Sequence, residues 1–300
     1  MIRFSVKLVF LIGVCFTGLS QSVFYGKSAE YQLFLHDDLS REYLLYLPAN
    51  LKAGSPLVFV LHGYTDDASK IRDYSGMNAI ADQNGFAVCY PRGTLDSKNN
   101  RFWNVGYAFH EGVTINDIDF LEKLAIFLQQ KYSLSKTNTF ATGMSNGAEM
   151  CYLLACRASE TFRAVAPVAG MMLKINIENC SVSKPLPVFE IHGTKDTINR
   201  YDGDINNQDG WGAYLGVIPV LDFWVRANDC SKIKIDTLPD TNKNDNSIII
   251  REKHSGGING NQVWFYKVIN GGHDWPGSSG NMDINTSLEI WSFFNLYVSK

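Results

Sequence analysis

Short apolar runs alternate along this chain with segments whose apolar residues recur at helical spacing. Six runs are typical of buried strands, namely 57–61, 86–90, 139–142, 164–169, 188–191 and 263–268. Helices are predicted between or after them, near 77–83, 117–132, 146–157, 218–227 and 285–297. Such alternation predicts an α/β fold with a mostly parallel central sheet and helices on both faces. The polar stretch 236–247 is predicted to be an exposed loop.

The first twenty residues have the pattern of a signal peptide. Basic residues precede an apolar run, and small residues follow it (Arg3, Lys7, 8–16, Gly18, Ser20 and Ser22). We therefore expect residues 1–20 to be removed, after Ser20 or Ser22, leaving one α/β domain over 21–300 that is secreted or periplasmic. Lipidation through Cys15 is a weaker alternative, because Val14 before it is not small. The apolar run is too short to span a bilayer comfortably, so no membrane span is expected.

Composition narrows the possible partners. The chain has 300 residues, of which 45% are hydrophobic, and a formal net charge of −3. A charge so close to neutral does not suggest nucleic acid or an anionic membrane as a partner. Without Cys15, five of the six cysteines remain, so at least one is unpaired within a monomer. Because the chain has no C-x-x-C pair, we expect no zinc site, and we expect no other metal site. We also expect a monomer without a cofactor.

The segment Gly143-Met144-Ser145-Asn146-Gly147 fits the G-x-S-x-G pattern of a nucleophile elbow. In that turn, a serine hydroxyl is held at the end of a strand, immediately before a helix. Glycines flank it because side chains there would collide with the neighbouring strand and helix. The predicted strand before the elbow and the predicted helix after it agree with this interpretation, and Ser145 is the predicted nucleophile.

A serine nucleophile needs a histidine base, which a carboxylate orients. In α/β enzymes with this elbow, the acid and then the histidine follow the serine in the chain. His273 comes after the predicted strand 263–268 and is the candidate base; the alternative is a loop histidine that caps backbone groups. Asp196 follows the strand 188–191 and is the candidate acid, and its rivals in the next polar loop are Asp202, Asp204 and Asp209.

Acyl transfer also needs two N–H donors for the developing oxyanion. The backbone N–H of Asn146, directly after the nucleophile, is the first candidate. The second is expected from the turn after the strand 57–61, where Tyr64 is the preferred donor and Thr65 the alternative. His62 in the same turn is expected to brace the loop.

Two tryptophans are candidates for an aromatic substrate cleft. Trp103 follows Arg101-Phe102, and Trp275 comes two residues after the candidate base. Either ring lines a cleft or simply packs in the core, and the sequence favours neither interpretation.

Seven segments together resemble the secreted polyhydroxybutyrate depolymerase and feruloyl esterase group of the α/β-hydrolase superfamily. In chain order they are PLVFVLHGYT (56–65), YPRG (90–93), NDIDFL (116–121), ATGMSNG (141–147), APVAG (166–170), IHGTKD (191–196) and GGHDWPG (271–277). The resemblance extends from about residue 40 to the end of the chain, and the seven segments together are far more specific than the elbow alone.

The resemblance implies an α/β-hydrolase fold, a triad of Ser145, Asp196 and His273, and a carboxylic ester as the bond that is cleaved. It also implies a disulfide between Cys156 and Cys180. Relatives often pair a cysteine at the position of Cys230 with a later one, which this sequence lacks.

The function implied is a serine esterase that removes feruloyl or acetyl groups from plant cell-wall polysaccharide such as xylan. A polyhydroxybutyrate or polyhydroxyalkanoate depolymerase is the alternative, and a serine peptidase is a more distant one, since the same triad also cleaves amides.

Overall fold

A ten-stranded sheet forms the centre of the computed structural model, which describes residues 30–182 and 184–299. The predicted signal peptide lies outside the described residues. The strands are β1 (Gln32–His36), β2 (Leu39–Tyr46), β3 (Leu57–Leu61), β4 (Ala87–Pro91), β5 (Thr94–Leu95), β6 (Arg101–Phe102), β7 (Thr139–Met144), β8 (Ala164–Val168), β9 (Met172–Leu173), β10 (Val188–Gly193), β11 (Gly203–Asp204), β12 (Tyr214–Leu215), β13 (Lys232–Thr237), β14 (Ile248–Ser255) and β15 (Val263–Ile269).

The helices complete the α/β layers. They are α1 (Ala68–Ser75), α2 (Met77–Asn84), α3 (Asp117–Lys131), α4 (Asn146–Arg157), α5 (Lys174–Glu178), α6 (Val217–Ala227) and α7 (Thr286–Asn295), with short 3₁₀ turns at Ala108–His110 and Ile258–Gly260. Among the described residues, no helix combines the length and the apolar character that crossing a bilayer requires.

Strand order in the large sheet is β1-β2-β4-β3-β7-β8-β10-β15-β14-β13. The six strands from β4 to β15 run parallel to one another. Antiparallel pairs β1–β2 and β13–β14 extend the two sides. The prediction of a mostly parallel sheet is therefore confirmed, and the antiparallel strands are additions that the apolar runs did not indicate.

Two hydrophobic cores cover the two faces of the sheet. Along β3, Leu57, Phe59 and Leu61 belong to one core, whereas Val58 and Val60 belong to the other. Successive side chains of a strand point to opposite faces, so a strand buried on both faces must be apolar throughout. Buried residues of α3, α4 and α6 join the first core, and those of α1, α2 and α7 join the second. This arrangement confirms the prediction that helices cover both faces of the sheet.

One disulfide links the end of α4 to the segment after α5. It joins Cys156 to Cys180, the pair that the family resemblance implied, while Cys89, Cys151 and Cys230 are free thiols. The bond therefore fixes the elbow helix, at its far end, to the chain that follows β9.

Replacing both Cys156 and Cys180 by serine is expected to lower the free energy of unfolding by about 3 kcal/mol, because the bond closes a loop of about 25 residues in the unfolded chain. The two cysteines are 24 positions apart. Urea unfolding without reductant measures the change. Cys230→Ser, which alters a free thiol, is the matched control. An unchanged urea midpoint for the double variant contradicts the prediction.

Candidate active site

The predicted site residues lie where parallel strands of the sheet end. Tyr64 follows β3, Ser145 follows β7, Asp196 follows β10 and His273 follows β15. These four strands run in the same direction. Their carboxyl ends therefore meet at one edge of the sheet, which is where open α/β sheets bind ligands.

Ser145 occupies a strained backbone conformation between β7 and α4. Its φ and ψ are 55° and −123°, and its N–H donates to the Val168 carbonyl at 3.0 Å. A Cβ at Gly147 would lie 2.3 Å from the Leu61 carbonyl oxygen, and one at Gly143 would lie 2.7 Å from the Gly147 carbonyl carbon. Both glycines are therefore required by close packing, and the turn has the geometry of a nucleophile elbow.

Asp196 and His273 are in direct contact. Asp196 Oδ2 lies 2.7 Å from His273 Nδ1, and the Asp196 side chain is fully buried whereas that of His273 is 20% exposed. The other oxygen, Oδ1, accepts the N–H groups of Ile198 at 2.8 Å and Asn199 at 2.9 Å. The carboxylate is thus fixed by its own loop, and it holds one nitrogen of a partly exposed imidazole.

The structure links the acid and the histidine more closely than the histidine and the serine. Among the described residues, no hydrogen bond joins the Ser145 hydroxyl to His273. In enzymes without bound substrate, catalytic hydrogen bonds are often long and tighten only when substrate binds. Ser145 and His273 thus share one edge of the sheet without a direct bond.

Two of the three rival acids, Asp204 and Asp209, make contacts within the loop that follows β10. Asp204 Oδ2 accepts the N–H of Asp209 at 2.8 Å, and Asp209 pairs with Arg200. These two carboxylates stabilise the loop. Among the described residues, no hydrogen bond or ion pair joins Asp202, Asp204 or Asp209 to His273.

The turn after β3 supplies a second N–H group beside the elbow. A Cβ built on Gly63 would lie 3.9 Å from Ser145 Oγ, so this turn covers the serine. The Thr65 N–H already donates to the Arg101 carbonyl at 2.8 Å. Within the described residues, the N–H groups of Tyr64 and Asn146 have no acceptor. Of the two candidates in this turn, Tyr64 is therefore the one with a free donor.

His62 and the Asn146 side chain brace this donor pair. His62 Nε2 accepts the Gly93 N–H at 2.9 Å, and its Nδ1 lies 2.7 Å from the Gly63 carbonyl. Burial lowers the pKa of His62 to about 4, so the ring is neutral at pH 7. Asn146 Oδ1 accepts the Trp103 N–H at 2.7 Å, and Asn146 Nδ2 donates to the Trp103 carbonyl at 3.1 Å. His62 was expected to brace this loop, whereas the sequence did not indicate the contact between Asn146 and Trp103.

Trp103 and Trp275 lie in the hydrophobic cores rather than on a cleft wall. Their exposed fractions are 0% and 1%. The Trp103 ring N–H donates to the His62 carbonyl at 3.0 Å, and Trp275 packs in the core that contains α7. The sequence left open whether these rings line a cleft or pack in the core, and the structure corrects their candidacy for the cleft, because each ring is enclosed by packing.

Aromatic residues other than Trp103 and Trp275 lie near the turn after β3. The Tyr64 ring lies 5.8 Å from the rings of Phe109 and Trp211 and 6.1 Å from that of Tyr107. Phe109 is 42% exposed. The Tyr64 hydroxyl donates to Asp96 at 2.6 Å. We call Tyr64, Tyr107, Phe109 and Trp211 the aromatic cluster, and it brings apolar surface next to a candidate oxyanion donor.

A buried carboxyl, Glu149, lies one turn into α4. Its Oε1 accepts Asn199 Nδ2 at 3.2 Å, which connects the elbow helix to the Asp196 loop. Burial raises the pKa of Glu149 to about 8, although the hydrogen bond from Asn199 opposes the rise. Glu149 therefore carries a proton at pH 7 in the folded protein.

This proton makes stability depend on pH. Between the ordinary value of 4.5 and about 8, folded Glu149 is protonated and the unfolded residue is not. The contribution of Glu149 to the free energy of unfolding is therefore full below pH 4.5 and is lost as the pH rises through 8. The loss is no more than about 1.4 kcal/mol per pH unit.

We expect Glu149→Gln, a neutral isostere, to remove this loss. Urea unfolding at pH 6 and pH 9 tests the prediction, with the exposed Glu160→Gln as control. A wild-type protein that loses no more stability than Glu149→Gln between these two values argues against it.

One cluster of described residues has metal-ligand character, and it is distant from the site. It consists of His36, Asp37 and Asp119. β1 is four strands from β7 in the sheet, which is about 19 Å at the usual strand spacing. Lys123 Nζ lies 2.7 Å from Asp119 and His36 Nε2 also lies 2.7 Å from it, so the Asp119 carboxylate is already paired.

Solved structures share this fold. An acetyl xylan esterase from Aspergillus awamori superposes with a TM-score of 0.63 at 16% identity, covering 89% of this chain and 99% of that one. A Bacillus cereus carboxylesterase superposes with a TM-score of 0.53 at 14% identity, covering 85% and 94%. At these identities the likeness establishes the α/β-hydrolase fold, as predicted.

Relatives by sequence are esterases of several kinds. A bifunctional acetylxylan esterase/xylanase of Neocallimastix patriciarum is 26% identical over 54% of this chain and 22% of its own length. Feruloyl esterase C of Emericella nidulans is 28% identical over 55% of this chain and 58% of its own length. Poly(3-hydroxyalkanoate) depolymerase C of Paucimonas lemoignei is 26% identical over 61% of this chain and 43% of its own length. The chain spans less than two thirds of the length of each of these three relatives.

A family model described as esterase PHB depolymerase matches residues 41–206. The match covers more than half of the 300 residues and includes β7, the elbow and Asp196. This chain is a member of the esterase PHB depolymerase family.

Proposed function

We propose that this protein is a serine carboxylic ester hydrolase with Ser145 as nucleophile, His273 as base and Asp196 as the acid that orients the base. The observation that carries the proposal is the strained elbow at Ser145 beside two backbone N–H groups that have no acceptor among the described residues. Preorganised N–H donors stabilise a transition state most where negative charge develops in it.

The proposed mechanism uses the contact between Asp196 and His273. Because Asp196 Oδ2 accepts Nδ1–H, the neutral His273 ring keeps a lone pair on Nε2, which takes the Ser145 proton as Oγ attacks the ester carbonyl. The N–H groups of Tyr64 and Asn146 stabilise the oxyanion. His273 then protonates the departing alcohol, and water hydrolyses the acyl-enzyme by the same steps.

The proposed substrates are feruloyl or acetyl esters of plant cell-wall polysaccharide such as xylan. The family relatives named as acetylxylan and feruloyl esterases support this class. The aromatic cluster next to Tyr64 supports the feruloyl ester in particular, since an aromatic acyl group packs favourably against such rings.

A polyhydroxybutyrate or polyhydroxyalkanoate depolymerase is the second candidate. The relative named poly(3-hydroxyalkanoate) depolymerase C favours it. The two candidates share the same acyl-enzyme chemistry and differ in the acyl group that the site accepts.

A substrate panel separates the candidates. We expect hydrolysis of methyl ferulate or acetylated xylan to exceed that of hydroxybutyrate oligomers, and we expect none of a peptide anilide. The Ser145→Ala variant supplies the background rate for each substrate. Preferred cleavage of the hydroxybutyrate oligomers favours the second candidate, and preferred cleavage of the anilide favours a peptidase.

We further propose that the protein is exported and acts as one catalytic domain over residues 21–300. The Cys156–Cys180 disulfide supports export, because such bonds persist in oxidising compartments. A monomer suffices, since all of the proposed catalytic groups come from one chain. Amino-terminal sequencing of protein recovered outside the cytoplasm tests this, and the expected first residue is Gln21 or Val23.

A further inference from the structure

A buried histidine lies behind the proposed triad acid. His192, near the end of β10, is 1% exposed, and its Nε2 lies 3.5 Å from Asp196 Oδ2. This is the same carboxylate oxygen that contacts His273 at 2.7 Å. Asp196 therefore lies between two imidazoles, one buried and one facing the site.

The other side of His192 faces a second carboxylate. Its Nδ1 lies 3.3 Å from Glu190 Oε1, and Glu190 is 2% exposed. Its Nε2 lies 2.8 Å from the Asn199 carbonyl, an oxygen that can only accept, so Nε2 carries a hydrogen. A carboxylate opposite Nδ1 favours a second hydrogen there. The four groups thus form a row in which acids and histidines alternate: Glu190, His192, Asp196 and His273.

The carboxylates beside His192 favour its protonated form, whereas its burial opposes it. Burial by itself would lower the pKa of His192, but the hydrogen bond and charge of Glu190, together with the charge of Asp196, raise it above its ordinary value. An unpaired buried charge is costly, so each charged member of this row depends on its neighbour.

We infer that His192 is a positioning residue for the triad. As a cation balanced by Glu190, it holds Asp196 and the Asn199 carbonyl, and so sets the orientation and basicity of His273. The inference rests on the proposed function, because it assigns His192 a role in that same reaction.

Other titratable groups around this row come from every element that packs on it. The Tyr201 ring lies 6.2 Å from the His192 ring, and burial keeps the pKa of both Tyr201 and Tyr152 raised, so both hydroxyls stay neutral. The charged groups are Lys267, which pairs with His192 in the β10–β15 register, and Asp202 and Glu252, both near Tyr201. A further titratable group is Glu149 on α4, whose Oε1 accepts Asn199 Nδ2 at 3.2 Å and whose pKa is raised by burial to about 8. Lys267 lies over the Tyr201 ring, 5.2 Å from its centroid.

His192→Gln tests the inference through the pH dependence of kcat/KM for methyl ferulate. Removing the cation leaves Glu190 unbalanced, so His273 takes up a proton more easily. We expect the acid limb to move to higher pH by about half a unit or more, and kcat to fall about 10-fold with KM unchanged.

The double variant Glu190→Gln/His192→Gln separates charge from structure. It removes the cation and its balancing carboxylate together, so we expect its acid limb to return towards that of the wild type. His254→Gln is the matched control, since His254 likewise lies two residues from a glutamate, Glu252, at 3.7 Å on β14. This variant should retain wild-type kcat and pH profile.

The outcomes distinguish the inference from the proposed function. If the wild type hydrolyses no ester, the proposed function fails. If the wild type is active and His192→Gln either keeps its kcat or loses kcat with an unmoved acid limb, only the positioning role is overturned.

Discussion

Replacing Ser145 by alanine is expected to lower kcat for ester hydrolysis by a factor on the order of 10⁶. The hydroxyl is the only group in the proposed mechanism that forms the covalent acyl-enzyme. Alanine keeps the elbow backbone and the two free N–H groups, so the residual rate reflects water attacking a bound ester. Steady-state hydrolysis of methyl ferulate and labelling by a fluorophosphonate together measure the loss.

Ser133→Ala is the matched control for this variant. Ser133 also has a positive φ, 53° compared with 55° at Ser145, and it lies in the turn after α3, away from the elbow. The control should retain wild-type activity and labelling. Substantial hydrolysis or labelling by Ser145→Ala would show that another residue is the nucleophile.

Replacing Asp196 by asparagine is expected to lower kcat by about 10⁴. The asparagine oxygen can still accept the N–H groups of Ile198 and Asn199, which Oδ1 accepts in the wild type, so the loop keeps its shape. Its amide nitrogen would then face His273 Nδ1 and donate to it. That bond favours the tautomer with hydrogen on Nε2, which cannot take the Ser145 proton.

The kcat of Asp196→Asn, measured alongside Asp209→Asn, decides between the candidate acids. Asp209 pairs with Arg200 in the next loop, and its variant should hydrolyse ester at the wild-type rate. A larger loss in Asp209→Asn than in Asp196→Asn contradicts the assignment. Circular dichroism on both variants confirms that the comparison concerns folded protein.

The strands at the centre of the sheet were predictable because they are buried on both faces. All five residues of β3 are buried, and such a strand must be continuously apolar. The lateral strands carry a weaker signal. β13, with the sequence KIKIDT, is largely exposed, and its Ile233 and Ile235 are 56% and 58% exposed. Its place in the sheet depends on pairing with β14, which a local pattern does not specify.

The residues of the candidate site likewise include some that the sequence predicts and others that it does not. Ser145, Asp196 and His273 could be proposed from chain order and strand ends, because the fold fixes where such residues fall. Apart from His62, which was expected to brace its turn, the groups that hold them in place could not be proposed. Asn199 contacts Ala169 and Glu149, which are 30 and 50 positions away, and the Trp103 ring is buried against His62, 41 positions away. Whether a side chain clamps a loop or lines a cleft depends on these long-range contacts.

Trp211 in the aromatic cluster gives the protein an intrinsic optical probe. Of its six tryptophans, all within the described residues, Trp103, Trp224, Trp264, Trp275 and Trp291 are buried. Trp211 alone is partly exposed, and its ring lies 5.8 Å from that of Tyr64. Emission that is accessible to a soluble quencher is therefore expected to come from the aromatic cluster, which includes Tyr64 of the turn next to the serine. We expect a ligand that covers this cluster to reduce the quenching, without any added label.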